Sequence, residues 1–418
     1  MKKKKHNKKR NKYLFKNIRE DLNTDSRFSI IEVIIIILIS VSFGIIIGYI
    51  ITYTSSGFNT LKGDSSVNEI IDVYNSITNN YYKEIDEDEL VNAAVKGMIN
   101  YLDDPNTNFL DESSTSKFNE SISGNFVGIG VTVQYDGEYN KIIKVNKGGP
   151  ADKVGLKKDD VIIKVNSKTC KGVSGDELSK LIRGKSGTKV KITVRRNEKE
   201  KTFTVVRKKV DIESVSSKII ENDGGKVGYI EISVFSANTY DQFKRNLEKL
   251  EDKKIDSLII DVRNNPGGHL YQAKKILSMF FDKKTVLYQL KNKKNKAKKV
   301  YSLSKESRKY PIVILANGGS ASASEVLITC FKDNYKNATF IGEKTYGKGT
   351  IQRSKSLNSG TSVKYTIERW VSSKGKDING KGIEPDYKIE LDDEYISNPS
   401  FDTDTQIQYG LSILKKSH

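Results

Sequence analysis

Residues 312–333 read IVILANGGSASASEVLITCFKD. The run opens with five apolar residues, 312–316, which suit a buried strand. A turn of small residues follows at 317–320. Val326, Leu327, Cys330 and Phe331 then recur at helical spacing. Strand, tight turn and helix is an arrangement that presents a nucleophile. The turn exposes a hydroxyl, and the helix N-terminus aims backbone N–H groups at incoming negative charge. Three serines stand at the junction: Ser320, Ser322 and Ser324. The same residues fit a plainer purpose, since Ser322-x-x-Glu325 before an apolar run is a capping box.

A second stretch favours chemistry. Residues 342–352 read GEKTYGKGTIQ, with Lys348 standing 26 residues after Ser322. Gly347 and Gly349 flank that lysine and keep it out of a helix interior. An extended backbone here points Lys348, Thr350 and Gln352 to one face. A lysine serves as a base only when neutral, and burial drives its pKa down. Ser-Lys is a recognised variant of the serine nucleophile arrangement. A third stretch, SLIIDVRNNPGGHL at 257–270, pairs a strand at 258–262 with an Asn-Pro-Gly-Gly turn. Adjacent glycines let a backbone approach a ligand closely and offer an oxyanion N–H.

In this order and spacing the three segments resemble the carboxy-terminal processing peptidases, also called tail-specific proteases. The resemblance runs from about residue 67 to residue 391. It implies a nucleophile at Ser322, the middle serine of the S-A-S-A-S-E motif, and a general base at Lys348 of TYGKG. It implies that Gln352 orients the lysine, and that the oxyanion hole takes N–H groups from Ala323 and from Gly267 or Gly268. Asp333 is a further candidate to orient the lysine, against a plain solvated helix end. Near the end, residues 367–391 follow the family pattern through Gly382-Ile383-Glu384-Pro385-Asp386, but place Ser372-Ser373 where threonine-proline is usual.

Charge is unevenly spread over the 418 residues. Residues 1–19 hold eight lysines and two arginines and no acid, which leaves +9 of the formal +19 for the rest. Residues 33–51 carry no charge, with Glu32 before them and Lys62 the first charge after. That length suits a single transmembrane helix. The flanking basic residues put the N-terminus in the cytoplasm and the remaining chain outside the cell membrane. A cleaved signal peptide is the alternative, but its apolar core is shorter and ends in an A-x-A-like site, which YTSSGF lacks. The basic tail then meets acidic lipid rather than nucleic acid.

The two cysteines, Cys170 and Cys330, fall in different expected domains and read as small hydrophobes rather than a disulfide. With only His6, His269 and His418 available, a Cys/His metal site is excluded and no cofactor is expected. A Ser-His-Asp triad would need His269, directly after the glycine turn, and stays open as a rival to Lys348.

The expected order is a basic cytoplasmic tail (1–29), a transmembrane helix (30–53), a linker (54–66) and a helical region (67–113). A PDZ-like domain (114–208), a peptidase core (209–391) and a C-terminal segment (392–418) follow, the last with only a weak helical signal. In the helical region Ile70, Ile71, Tyr74 and Ile77 form one apolar face, and Leu90, Val91, Ala94, Val95, Met98 and Ile99 another. Relatives use this region to help build a dimer, so a homodimer is the analogy. VNKGGPADKVGLKKDDVIIKVN at 145–166 matches the PDZ pattern. PDZ domains pair a peptide's C-terminal tail with a strand edge and cradle its carboxylate in a glycine-rich loop. Phe126, Val127, Gly128, Ile129 and Gly130 are the candidates for that loop, unless the glycines merely shape a hairpin. Arg183, at the end of a short helix, either senses a bound tail or reaches the peptidase core, or is a solvated charge. Strands alternating with helices over 210–389 argue for an α/β sheet. The resemblance makes it a ClpP/crotonase-like core with the PDZ-like domain inserted. KNKKNKAKK at 291–299 reads as a solvated hairpin tip rather than a nucleic-acid site, since no aromatic residues interleave its lysines. The expected activity is a membrane-anchored serine endopeptidase acting on protein or peptide substrates with exposed C-termini. The rival from another class is an inert, membrane-tethered PDZ scaffold.

Overall fold

The computed structural model describes residues 30–58, 65–222, 225–305, 307–357 and 359–415. The basic tail and its His6, residues 59–64 of the expected linker, and His418 lie outside them. The chain divides into two compact units, residues 1–91 and 92–418.

The first unit opens with the helix Ile30–Phe58. Its segment Ile31–Gly48 has a mean hydropathy of 2.8 and is long and apolar enough to cross a membrane. The helix runs on to Phe58, into the stretch expected as linker. A second helix, Ser65–Asn80, follows, and Tyr74 donates from its hydroxyl to Glu87 Oε2 at 2.7 Å. Glu87 opens the helix Glu87–Asn100. Two helices were expected in this region.

In the second unit, a six-stranded sheet carries the core. Its order is Val215–Asn222, Gly225–Ile232, Ser257–Asp261, Ile312–Ala316, Ala338–Gly342 and Tyr387–Lys388. The first pair is antiparallel and every later pair parallel. Every residue of Ser257–Asp261 and Ile312–Ala316 is buried. Continuous apolar strands are what a parallel sheet covered on both faces requires. Helices Thr239–Asp252, Leu270–Leu277 and Ala323–Asn334 supply one cover, with Phe243, Phe280 and Phe331 in its core. On the other face Ile407, Leu411 and Leu414 of the helix Thr405–Lys415 pack on Ile259, Val313 and Ile341. Burying a side chain of this size contributes roughly 1.5–3 kcal/mol. That helix lies in the segment whose helical signal is weak. Its docking is fixed by Arg263, whose guanidinium pairs with Asp261 and with Asp404, which is buried.

A second sheet orders Asn108–Leu110, Ser362–Ser372, Val286–Lys291 and Ala297–Tyr301, with Thr350–Ser356 also paired to Ser362–Ser372. The lysine-rich run 291–299 sits at the turn of the Val286–Lys291/Ala297–Tyr301 hairpin.

Residues 131–206 form an antiparallel sheet in the order Val131–Tyr135, Asn140–Val145, Val161–Val165, Lys189–Arg196, Lys199–Val206 around its own core. Strands Asn125–Gly128 and Lys208–Asp211 pair with each other where the chain enters and leaves this domain. Gly128 and Gly130 therefore do not shape a local hairpin. They lead into Val131–Tyr135, which is one of the two edges of its sheet.

Candidate active site

Three neighbouring parallel strands end at the same edge of the sheet. Ser257–Asp261 runs into the glycine turn, Ile312–Ala316 into the serine turn, and Ala338–Gly342 into the lysine loop. Ligands of open α/β sheets gather at the carboxyl ends of such strands. The topology thus converges segments that lie up to about 80 residues apart in sequence.

Of the three serines, two are structural. Ser320 Oγ donates to the Val262 carbonyl at 2.7 Å, and Ser324 Oγ to the Asn265 carbonyl at 3.0 Å; both residues are fully buried. They fasten the serine turn to the glycine turn. Ser322 between them has φ 56° and ψ −113°. A positive φ is uncommon for a residue with a side chain and persists only where the surroundings enforce it. Here the side chain lines a cavity of about 610 Å³ together with Gly267, Gly268, His269, Lys348, Gln352 and Lys364.

Glu325 belongs to a capping box and to more than that. Its buried carboxylate accepts the Ser322 N–H at 2.8 Å, as a cap would. It also accepts the Thr345 hydroxyl at 2.7 Å and the N–H groups of Gly347 and Lys348 at 2.7 and 2.8 Å. One carboxylate therefore ties the first turn of the helix to the lysine loop. The sequence showed the cap; the three contacts across the sheet edge had no local signal.

Lys348 is half-buried at the mouth of that loop. Its carbonyl accepts from Trp370 Nε1 at 2.9 Å. Burial pulls the amine below its ordinary value, and Lys364 adds to that, while Asp104 and Glu325 oppose it. No hydrogen bond joins Lys348 Nζ to Ser322 Oγ, and contacts of this kind tighten when substrate binds. Gln352 shares the cavity, but its amide nitrogen donates to Thr350 Oγ1 at 2.8 Å and to Thr366 Oγ1 at 3.2 Å.

The glycine turn needs its glycines. Gly267 has φ +98°, and a Cβ there would lie 2.8 Å from Ser322 Cβ and 3.0 Å from Ala323 N. A Cβ on Gly268 (φ +134°) would lie 2.3 Å from the Phe235 carbonyl oxygen. The two are not equivalent as donors. Gly267 N–H donates to Asn265 Oδ1 at 2.9 Å. Among the described residues the N–H groups of Gly268 and Ala323 have no acceptor, and both stand at the turn that carries Ser322. The Gly267 N–H is therefore engaged within its own turn, which leaves that of Gly268 as the one directed elsewhere.

Two other candidates move. Asp333 lies at the far end of the helix Ala323–Asn334. It accepts from Ser373 Oγ at 2.8 Å and from Lys374 N–H at 3.3 Å, and so it holds the 372–374 loop rather than Lys348. The serine at 373, a departure from the family pattern, is its partner. His269 lines the cavity, but its ring faces the Ile122 carbonyl, and burial holds its pKa below the usual histidine range.

In the neighbouring domain, Ile129 is buried in the core and Gly130 turns with φ +79° into that edge strand. The helix Gly175–Ile182 packs beside that edge. Arg183 ends this helix with its guanidinium 5.1 Å over the Phe126 ring. It also pairs with Glu120 on the helix Glu112–Ser123, whose Phe118, Asn119, Ser121 and Ile122 line the cavity of Ser322. Of the readings of Arg183, a purely solvated charge is the one this geometry removes. Asp104 was missed in the sequence. It belongs to a turn that docks beside Thr366 and faces Lys348 and Lys364.

The description of peptidase family S41 matches residues 226–389, that of a PDZ domain residues 114–206, and that of the activating protease CtpB N-terminal domain residues 52–114. The chain is 38% identical over 351 residues to the carboxy-terminal processing protease CtpA of Bacillus subtilis (strain 168), covering 83% of this chain and 74% of that one. It is 38% identical over 328 residues to a probable CtpA-like serine protease of Staphylococcus aureus (strain COL), covering 78% of this chain and 65% of that one. A solved structure, the photosystem II D1 C-terminal processing protease, aligns over 78% of this chain and 94% of its own at 26% identity, with a TM-score of 0.44. The chain belongs to peptidase family S41 and is a carboxy-terminal processing serine protease with a PDZ domain.

Proposed function

We propose that this protease is a membrane-anchored endopeptidase that cleaves by a Ser322–Lys348 mechanism and selects substrates by their C-terminal tails. The observation that carries the reading is the one cavity holding Ser322, on its enforced turn, with Lys348, whose amine burial drives toward neutrality. Neutral Lys348 takes the Ser322 proton as the hydroxyl attacks the scissile carbonyl. Ala323 N–H and Gly268 N–H hold the oxyanion, each donor typically worth ~3–4 kcal/mol. Lys348 then gives its proton to the leaving amine, and water releases the acyl group from Ser322. The substrate tail pairs with the edge strand Val131–Tyr135 and sets its carboxylate at residues 126–130. Arg183, bridging to Glu120, relates that event to a wall of the cavity.

Support for the anchor is the apolar helix and the basic residues before it, which orient the protease outside the cytoplasm. The exposed apolar residues Ile70 and Ile71 on helix Ser65–Asn80 suit a homodimer. The test uses the full chain in mild detergent and an unfolded protein ending in apolar residues, beside the same protein with a charged tail. Wild type is expected to cut the apolar-tailed substrate faster, and Ser322→Ala to bind it without cutting. Binding without cutting by wild type as well would favour the inert scaffold.

A further inference from the structure

We infer that Asp104 is a positioning residue for Lys348: by accepting the hydrogen bond of the Thr366 hydroxyl it turns the amide oxygen of Gln352 toward the cavity that Lys348 shares. This rests on the Ser-Lys reading above.

The inference comes from the order of donors and acceptors. Strand Asn108–Leu110 pairs with Ser362–Ser372, placing Asn108 opposite Lys364. The turn before it, 104–107, is thereby laid beside Thr366, whose N–H donates to Thr107 Oγ1 at 3.1 Å. Asp104 Oδ1 accepts the Asn106 N–H at 3.0 Å, while Oδ2 accepts the Thr107 hydroxyl at 2.6 Å and the Thr366 hydroxyl at 2.5 Å. Burial works against ionisation, but these hydrogen bonds together outweigh it and hold the Asp104 carboxyl below the usual carboxylate range.

An ionised carboxylate can only accept. Thr366 must therefore donate its one proton to Asp104, and its oxygen is left to accept. Gln352 meets that oxygen at 3.2 Å and Thr350 Oγ1 at 2.8 Å, so it presents its NH₂ end to both. The amide cannot flip without setting its carbonyl against the Thr366 oxygen, whose proton is already engaged. Gln352 Oε1 is then the free end, an acceptor for a Lys348 N–H. A glutamine without this chain has no reason to prefer one orientation over the other.

Asp104 has a second, separable effect. The charges facing Lys348 are Glu325 from the helix Ala323–Asn334, Lys364 from the strand Ser362–Ser372 and Asp104 from its turn, with His269 lining the same cavity. The negative charge of Asp104 favours protonated Lys348, in opposition to Lys364. Removing it should ease deprotonation.

The experiment measures kcat and KM against pH for the full chain in detergent, on an unfolded substrate with an apolar tail. Asp104→Asn keeps an acceptor but loses the charge. It is expected to hold kcat at high pH within about threefold, with the acid limb moved to lower pH. Asp104→Ala and Thr366→Val both break the chain and should lower kcat by about tenfold or more with KM unchanged. Thr366→Val should leave the acid limb in place. Wild-type kcat in Asp104→Ala, or an unmoved acid limb in Asp104→Asn, overturns the inference. If Asp104→Ala does not fold, the Asp104→Asn profile decides. Lys348→Ala is run in parallel: if it cuts normally, the Ser-Lys reading has failed rather than this one.

Discussion

The carboxylate of Glu325 accepts the backbone N–H of Lys348 at 2.8 Å on Oε2, the oxygen that also accepts the Ser322 N–H. The serine turn and the lysine loop are thus registered through one buried group rather than through contact between their own side chains. Glu325→Gln would set an amide NH₂ among four donors and leave at least one of them unsatisfied. We expect it to destabilise the fold by about 3 kcal/mol, since charged acceptors are worth more than neutral ones. It should also reduce kcat more than KM. Thermal melting in detergent beside steady-state kinetics checks both.

The three serines should separate cleanly. Ser322→Ala is expected to abolish turnover without loss of stability, because Ser322 Oγ takes part in no fastening bond to the glycine turn. Ser320→Ala and Ser324→Ala each remove a buried hydrogen bond to that turn, while the Val262 and Asn265 carbonyls keep the backbone N–H groups of Asn265 and Ala321. Each should cost about 1–3 kcal/mol of stability and retain measurable cleavage. Equal loss of turnover in all three, with stability unchanged, would contradict this division.

Activity should rise with pH. Burial first, and then Lys364, hold Lys348 below its ordinary value of 10.5. The base is the neutral form, so the rate climbs as pH passes the lowered pKa. The same shift affects stability: between the folded pKa and 10.5 the unfolded chain binds more protons, and stability rises with pH across that window. Lys364→Gln removes a like charge and should move the acid limb of the rate profile to higher pH. A limb that stays put would show that Lys364 does not act on Lys348.

Gly267→Ala is expected to lose nearly all activity and to destabilise the turn, because its Cβ would press on Ser322 Cβ at 2.8 Å and on the Ala321 carbonyl at 2.7 Å. Removal of oxyanion stabilisation is typically worth 10²–10³ in kcat. Turnover of the folded variant, measured after its melting curve, distinguishes a damaged site from a damaged fold.

Much of this was legible from local pattern. The strand 312–316, the serine turn and the helix after it follow from an apolar run, small residues and helical spacing. Lys348 was isolated by its flanking glycines. Contacts made across the sheet edge were not legible. Nothing near Asp333 shows that it faces Ser373, or near Gly267 that its N–H turns back to Asn265. Asp104 lies 244 residues before Lys348 and reaches it only because a three-residue strand pairs with Ser362–Ser372. The helix Thr405–Lys415 was faint because its partner, the face of the parallel sheet, is contributed by distant strands. Arg183 stands out at the end of its short helix, but its partner Glu120 lies on the helix Glu112–Ser123, far off in sequence.

In the proposed mechanism Lys348 is the base that activates Ser322. The most direct measurement is the cleavage rate of Lys348→Ala, full chain in detergent, on an unfolded protein with an apolar tail, read by mass. No cleavage above that of Ser322→Ala is expected, with tail binding and melting temperature retained. Cleavage near the wild-type rate would contradict it and return His269 to consideration.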